Sequence, residues 1–414
     1  GLEVIDCVLL VNAYAGPAWT GLMSGLTQAQ INAKKAAING HLDHRGCQSW
    51  NNAFGFNNKP GNYVPTLVIN NDTGALAPVG APRNNCRLPA ALVYHPVTNP
   101  TGTRCGDADL ATMVWGSTTG LAGSQRALQT GDNVGVQYGL KALLSGAITA
   151  EEFVTLNEKI GGVDADSNAT AARSRADLPA LDIAYRAGIV SSGTNLGKVP
   201  TIDSRGYDEQ GIHFIWRTFS QRDRIANAYG GNYGNQVIWR YGTGLVPATP
   251  AQVAAVTVES FLTMDVWLTN LLTTAPKPTL NSARTQAQVI AGKPATAYDL
   301  CYLTGDPNFT TKVTDMALCD ADPRLKPNSS PRQVAGGSLS ENILKCQLKP
   351  LNVADYAPTT FTPGQWTRLQ ATFPDGVCDW SKPGVGQQEA LSPLTFAAGP
   401  GGQPLPPAPT SGGR

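Results

Sequence analysis

Residues 199–241 read VPTIDSRGYDEQGIHFIWRTFSQRDRIANAYGGNYGNQVIWRY. Val199 to Ile202 is a short apolar, β-branched run that passes at once into polar residues, the pattern of a buried strand ending in a functional loop. From about His213 to Ala228 the spacing predicts an amphipathic helix, and Gln236 to Tyr241 a second short strand. Strand, polar loop, helix and strand make one α/β unit, so the class expected is α/β.

Working outward, Thr149 and Glu152 form a capping box ahead of Phe153, Leu156 and Ile160, and Gly161 with Gly162 ends that helix. Another helix is expected near Leu178 to Ala187. Pro250 opens a long one in which Val253, Val256, Val258, Phe261, Met264 and Leu268 recur at roughly helical spacing. Residues 1–135 read as loop-rich, with a helix near LTQAQINAKKAAINGHL (26–42) and short strands at NYVPTLVINND (62–72) and ALVYHPV (91–97). Four consecutive segments follow: a disulfide-bonded lid or insertion at 1–135, an α/β core portion at 136–250, a helical and irregular region at 251–395, and a Pro/Gly-rich tail at 396–414 with no means of burying a core.

Thirty-one basic against 30 acidic residues leave no charge excess that would recruit nucleic acid. No apolar run approaches the roughly 20 residues that would span a bilayer. The cysteines are even in number and none sits in a CxxC pair, so disulfides outweigh zinc and the compartment expected is secreted or periplasmic. Spacing does not dictate their connectivity; local pairing is expected, Cys7 with Cys47, Cys86 with Cys105, Cys301 with Cys319 and Cys346 with Cys378. The opening GLEVIDCVLLVNAY has no basic leader and no cleavage site, the look of a processed product with an upstream portion removed or on another chain.

Chemistry concentrates in the opening stretch. Asp203 and Asp208 are expected just past a strand, with His213 five residues beyond Asp208 at a helix start. A carboxylate that fixes the tautomer of an imidazole is what a nucleophile, base and orienter arrangement requires. The bland alternative has Asp208 as a helix cap, His213 as a structural histidine and Arg222 with Arg224 in surface ion pairs. No G-x-S-x-G elbow occurs; GGSLS (336–340) lacks the last glycine. HLDH (41–44) carries metal-capable types, but a helix end with solvent-facing histidines is the better reading. Asp164, Asp166 and Asn168 begin like a calcium loop, although Ala169 replaces its glycine and Arg175 its bidentate glutamate, so a structural calcium is the weaker reading and no other cofactor is expected. Sequons stand at Asn71, Asn168, Asn308 and Asn328.

The stretches DNVGVQYGLKALLSGAITAEEFVTLNEKIGGVDAD (132–166), PTIDSRGYDE (200–209), RTFSQRDRIANAYGGNYGNQVIW (217–239) and TFPDGVCDWSKPGVGQQ (372–388) resemble a family of large secreted bacterial proteins, mostly of unknown function. These look like α/β-hydrolases distantly related to the tannase and feruloyl esterase group. The resemblance covers roughly residues 5–390 and implies an α/β-hydrolase-like C-terminal half with large disulfide-bonded insertions. It also implies a Gly-rich serine motif on a preceding segment, an N-terminal fragment of the same precursor held non-covalently. By position Asp203, Arg205, Tyr207, Asp208, His213, Arg222 and Arg224 match the family's charged motif. One departure is that α/β-hydrolases place the catalytic histidine after the last strand, and this chain has none after Trp239.

Two functions follow as expectations. One is a hydrolase of carboxylic esters, of oligomeric or polyester substrates, with an external serine, His213 as general base and Asp208 or Asp203 as orienter; Arg205, Tyr207, Arg222 and Arg224 support the site. The other is a non-catalytic surface protein in which Tyr229, Tyr233 and Trp239 bind a polymer.

Overall fold

The computed structural model describes residues 2–391 except 56–57, 64–65, 70–75, 80, 120–122, 208–212, 243–248 and 275–283. Two compact units partition the chain, and both are discontinuous: residues 1–189, 208–216 and 327–388 make the first, and 190–207, 217–326 and 389–414 the second. They cut across the four consecutive segments expected from sequence.

The first unit is largely helical. Leu2–Ala15, Gln28–Asn39 and Gly46–Phe54 are helices; the second is the helix expected near 26–42, whereas residues 2–15 are part of a core where loops were expected. Cys7, Leu9 and Leu10 are at most 1% exposed and pack with Trp19, Ile38, Tyr138, Phe153, Leu156, Tyr356 and Leu369. Each such side chain contributes roughly 1.5–3 kcal/mol by burial. The helix Ala150–Lys159 carries the expected capping box, Thr149 accepting from the Glu152 N–H. Within residues 62–72, Thr66–Ile69 pairs with Leu76–Val79 and Tyr63 bridges Arg83, and the expected strand at 91–97 is instead a short 3-10 turn followed by isolated bridges.

Charge ties the far ends of this unit together. Arg332 donates from Nε and Nη2 to the buried Asp6 carboxylate at 2.7 and 3.1 Å, Tyr138 donates to the same group at 2.5 Å, and Arg332 also reaches the Asp132 carbonyl. Lys345 adds a 2.5 Å contact with the Asp132 side chain.

The second unit holds a three-stranded parallel sheet of Thr201–Gly206, Gln236–Tyr241 and Leu300–Tyr302, with the Gln236 strand central. The first strand starts two residues later than expected and runs through Asp203 to Gly206; the third was not expected, because three apolar residues carry too little periodicity to read. Ile202, Val237, Trp239, Leu300 and Tyr302 face one core with Val256, Trp267, Leu271 and Val289. The crossover helix is Trp216–Ala228, three residues shorter at its start than expected.

The helix opened by Pro250 is real, and Val256 and Met264 of the expected face pack on the core, but the rest of that face does not. Residues 253–258 wind as a π-helix, whose wider turns advance the phase of everything downstream. Val256, Trp267 and Leu271 are therefore inside, while Val258, Phe261 and Leu268 are 48%, 70% and 45% exposed.

All four local cysteine pairings are present as disulfides. Among the described residues no helix is long and apolar enough to cross a membrane.

Candidate functional site

In a strand, alternate residues share a face. Ile202 and Ser204 take the side of the apolar core, which leaves Thr201, Asp203 and Arg205 toward the crossover helix. There Thr218 donates its hydroxyl to Asp203, and the Arg205 Nε lies 3.0 Å from the other carboxylate oxygen. Asp203 is thus a strand residue with two local partners, not a residue of the loop beyond. Asp208, expected beside it, lies outside the described residues.

At the carboxyl end of the sheet the Tyr207 N–H continues the ladder to the Tyr241 carbonyl at 3.0 Å, and the Arg324 guanidinium stacks 5.0 Å from the Tyr207 ring centre. Arg324 also donates to the Gly242 carbonyl at 3.3 Å. Asp322, three hydrogen bonds deep in Thr304 and the Arg324 N–H, anchors this corner. Burial pushes the Tyr241 phenol above its ordinary value, and Arg205 opposes the shift. Open parallel sheets place ligands at this end of their strands.

Arg222 and Arg224 are committed elsewhere. Arg222 grips Asp299 with two hydrogen bonds of 2.6 and 2.8 Å and touches Gln236, at the amino end of the central strand. Arg224 donates to Ser191 at 2.7 Å. Each ties the crossover helix to its surroundings within the second unit.

His213 belongs to the first unit, exposed and three residues ahead of the helix it was expected to start. Its neighbour Phe214 is fully buried and stacks on His41, ring centres 4.4 Å apart and 20° from parallel. His41 in turn holds Glu3 at 2.7 Å, both side chains at most 1% exposed. The expected solvent-facing histidine is therefore a buried acid–imidazole pair that the sequence did not announce. Glu3 and Cys7, four apart, share a helix face, but only a helical reading of residues 2–15 could have found them. The Cys7 and Cys47 sulfurs lie within 4.8 Å of the His41 ring; bonded to each other, they offer no thiolate to a metal.

The calcium reading of residues 164–168 is corrected by its neighbours. Arg104 and Arg126 each pair with Asp166, at 2.9 and 2.8 Å. Lys59 donates to the Ser167 carbonyl and to Asn168, while Asp164 accepts from the Asp166 and Asn168 N–H groups. Protein cations already occupy the oxygen cage that a metal would need.

Ser338 follows the helix Pro331–Val334 in a turn, where a nucleophile elbow would need a preceding strand. Of the sequons, Asn168 and Asn308 are exposed, Asn328 is 9% exposed and Asn71 lies outside the described residues. Of the aromatic residues expected on a polymer-binding face, Trp239 is 1% exposed and in the core, and Tyr229 donates its hydroxyl to the Thr194 carbonyl at 2.6 Å; Tyr233 is 43% exposed.

A family model described as "Tannase-like family of unknown function (DUF6351)" matches residues 1–389. No curated protein and no solved structure matches the chain.

Proposed function

The chain belongs to this tannase-like family, and from that membership we propose that it is part of a secreted or periplasmic hydrolase of carboxylic esters, built on an α/β-hydrolase type of sheet. The observation that carries the reading is the parallel strand–helix–strand unit with Asp203 on its helix-facing side and Tyr207 at its carboxyl end. Four disulfides suit an oxidising compartment.

The mechanism proposed is acyl transfer. A serine from a Gly-rich motif outside this sequence attacks the ester carbonyl while His213 takes its proton, then returns it to the leaving alkoxide; water repeats the cycle on the acyl-enzyme. Asp208 or Asp203 orients the imidazole, and Arg205 and Tyr207 support the site. Oligomeric or polyester substrates suit the exposed position of His213.

The test is labelling of the assembled protein with a fluorophosphonate, followed by p-nitrophenyl ester hydrolysis by wild type and His213→Ala. A serine adduct and a loss of roughly 10²–10⁴ in kcat are expected. Unchanged hydrolysis by His213→Ala removes the histidine from this role, and no adduct removes the serine mechanism.

A further inference from the structure

A second site is built at the opposite, amino end of the same sheet. There Tyr233, Gln236, Lys293, Tyr298, Asp299 and Thr314 line a groove of about 400 Å³. Gln236 is the first residue of the central strand and Asp299 immediately precedes the third.

Three features point to a ligand. First, Gln236 is 2% exposed, yet its Nε2 has no hydrogen-bond partner among the described residues. The amide is oriented by Arg222, whose Nε donates to Gln236 Oε1 at 3.3 Å, so the nitrogen is the end left over. A buried donor without an acceptor is costly, and an incoming acceptor removes that cost. Second, the charge is lopsided: Arg222 and Lys293 face one carboxylate, Asp299, and Arg222 already satisfies it bidentately. Lys293 Nζ hydrogen-bonds to no described residue, and burial pushes its pKa down while Asp299 opposes the shift. Third, two tyrosine rings stay open at the rim, Tyr233 at 43% and Tyr298 at 38%, and Arg222 stacks 4.7 Å from the Tyr233 ring centre.

Surplus donors, one uncommitted cation and exposed aromatic faces select for one chemistry. We propose that this groove binds a carboxylate carried on a six-membered ring, its anion on Lys293 and the Gln236 amide and its ring against Tyr233 or Tyr298. Such a ring comes from either an acidic sugar or an aromatic acid. The site does not depend on the chain being an esterase.

The test is titration calorimetry on the full chain with D-galacturonate and with 4-hydroxybenzoate, each against its uncharged amide. At least one acid is expected to bind saturably and about tenfold tighter than its amide; which acid binds assigns the source. Lys293→Met is expected to abolish the preference for the acid. The near-isosteric Gln236→Glu, which keeps an oxygen for Arg222 but puts a negative charge in the groove, is expected to weaken acid binding by at least about tenfold. Unchanged thermal unfolding of both variants shows that the fold is kept. Absence of saturable binding by either acid, equal binding of acid and amide, or undiminished binding by both variants overturns the proposal.

Discussion

Arg332 closes two hydrogen bonds on the carboxylate of Asp6, 326 residues away in the chain, and both side chains are at most 2% exposed. The contact fastens the N-terminal helix to the returning C-terminal segment inside one core. Removing one partner strands the other as a buried, uncompensated charge. Asp6→Ala is expected to cost about 3–5 kcal/mol, read as a lower urea midpoint at unchanged slope. A loss below about 1 kcal/mol means that water or a rearranged Tyr138 replaces the carboxylate.

The disulfide Cys7–Cys47 closes a separation of 40 residues around the same helix. Replacing both cysteines by serine is expected to cost about 2–4 kcal/mol, chiefly by freeing the unfolded chain. Thermal unfolding of the double variant measures it.

Glu151 is held by Arg368, then by Gln365 and Thr155, and these hydrogen bonds lower its pKa from the ordinary 4.5. A carboxyl depressed in the folded state stabilises above its unfolded value, and that contribution is lost as pH falls through the folded one. Glu151→Gln is therefore expected to lag wild type in urea midpoint at pH 7, with the gap closing toward pH 3. A gap independent of pH shows that shape, not charge, matters at this position.

Asp203 and Arg222 sit on the same α/β unit and separate cleanly by experiment. Asp203→Asn keeps an acceptor for the Thr218 hydroxyl, so its fold is expected to hold while ester hydrolysis falls. Arg222→Met strips Asp299 of two hydrogen bonds and is expected to lose about 1.5–3 kcal/mol of stability. Urea titration and p-nitrophenyl ester kinetics on both variants decide the assignment, and the reverse pattern overturns it.

Asn328 carries a sequon but is 9% exposed, whereas Asn308 is on the surface. Produced in a eukaryotic secretory host, the folded chain is expected to show glycan at Asn308 and none at Asn328 by peptide mass mapping. Occupancy at Asn328 would mean that modification outruns folding.

What the sequence determined by itself is local. The capping box at Thr149, the helix from Trp216 and the strand Gln236–Tyr241 each follow from residues within a few dozen positions, where periodicity and caps dominate the free energy. The four disulfides are also short-range, but spacing left their connectivity open and the fold closed it. Tertiary structure decided what depends on distant partners. The apolar run VLLV of the first helix has no polar face to mark its period, because it is buried on nearly all sides. One π-helical stretch in the helix after Pro250 left Phe261 and Leu268 outside and brought Trp267 and Leu271 in beside the expected Val256. Burial assigned the polar groups: Glu3 gave His41 a core place, Arg104 and Arg126 emptied the calcium loop of its charge, and Asp299 claimed Arg222. A side chain's type states which charge or hydrogen bond it can make. Only the folded chain, by withdrawing water, decides which partner it makes it with.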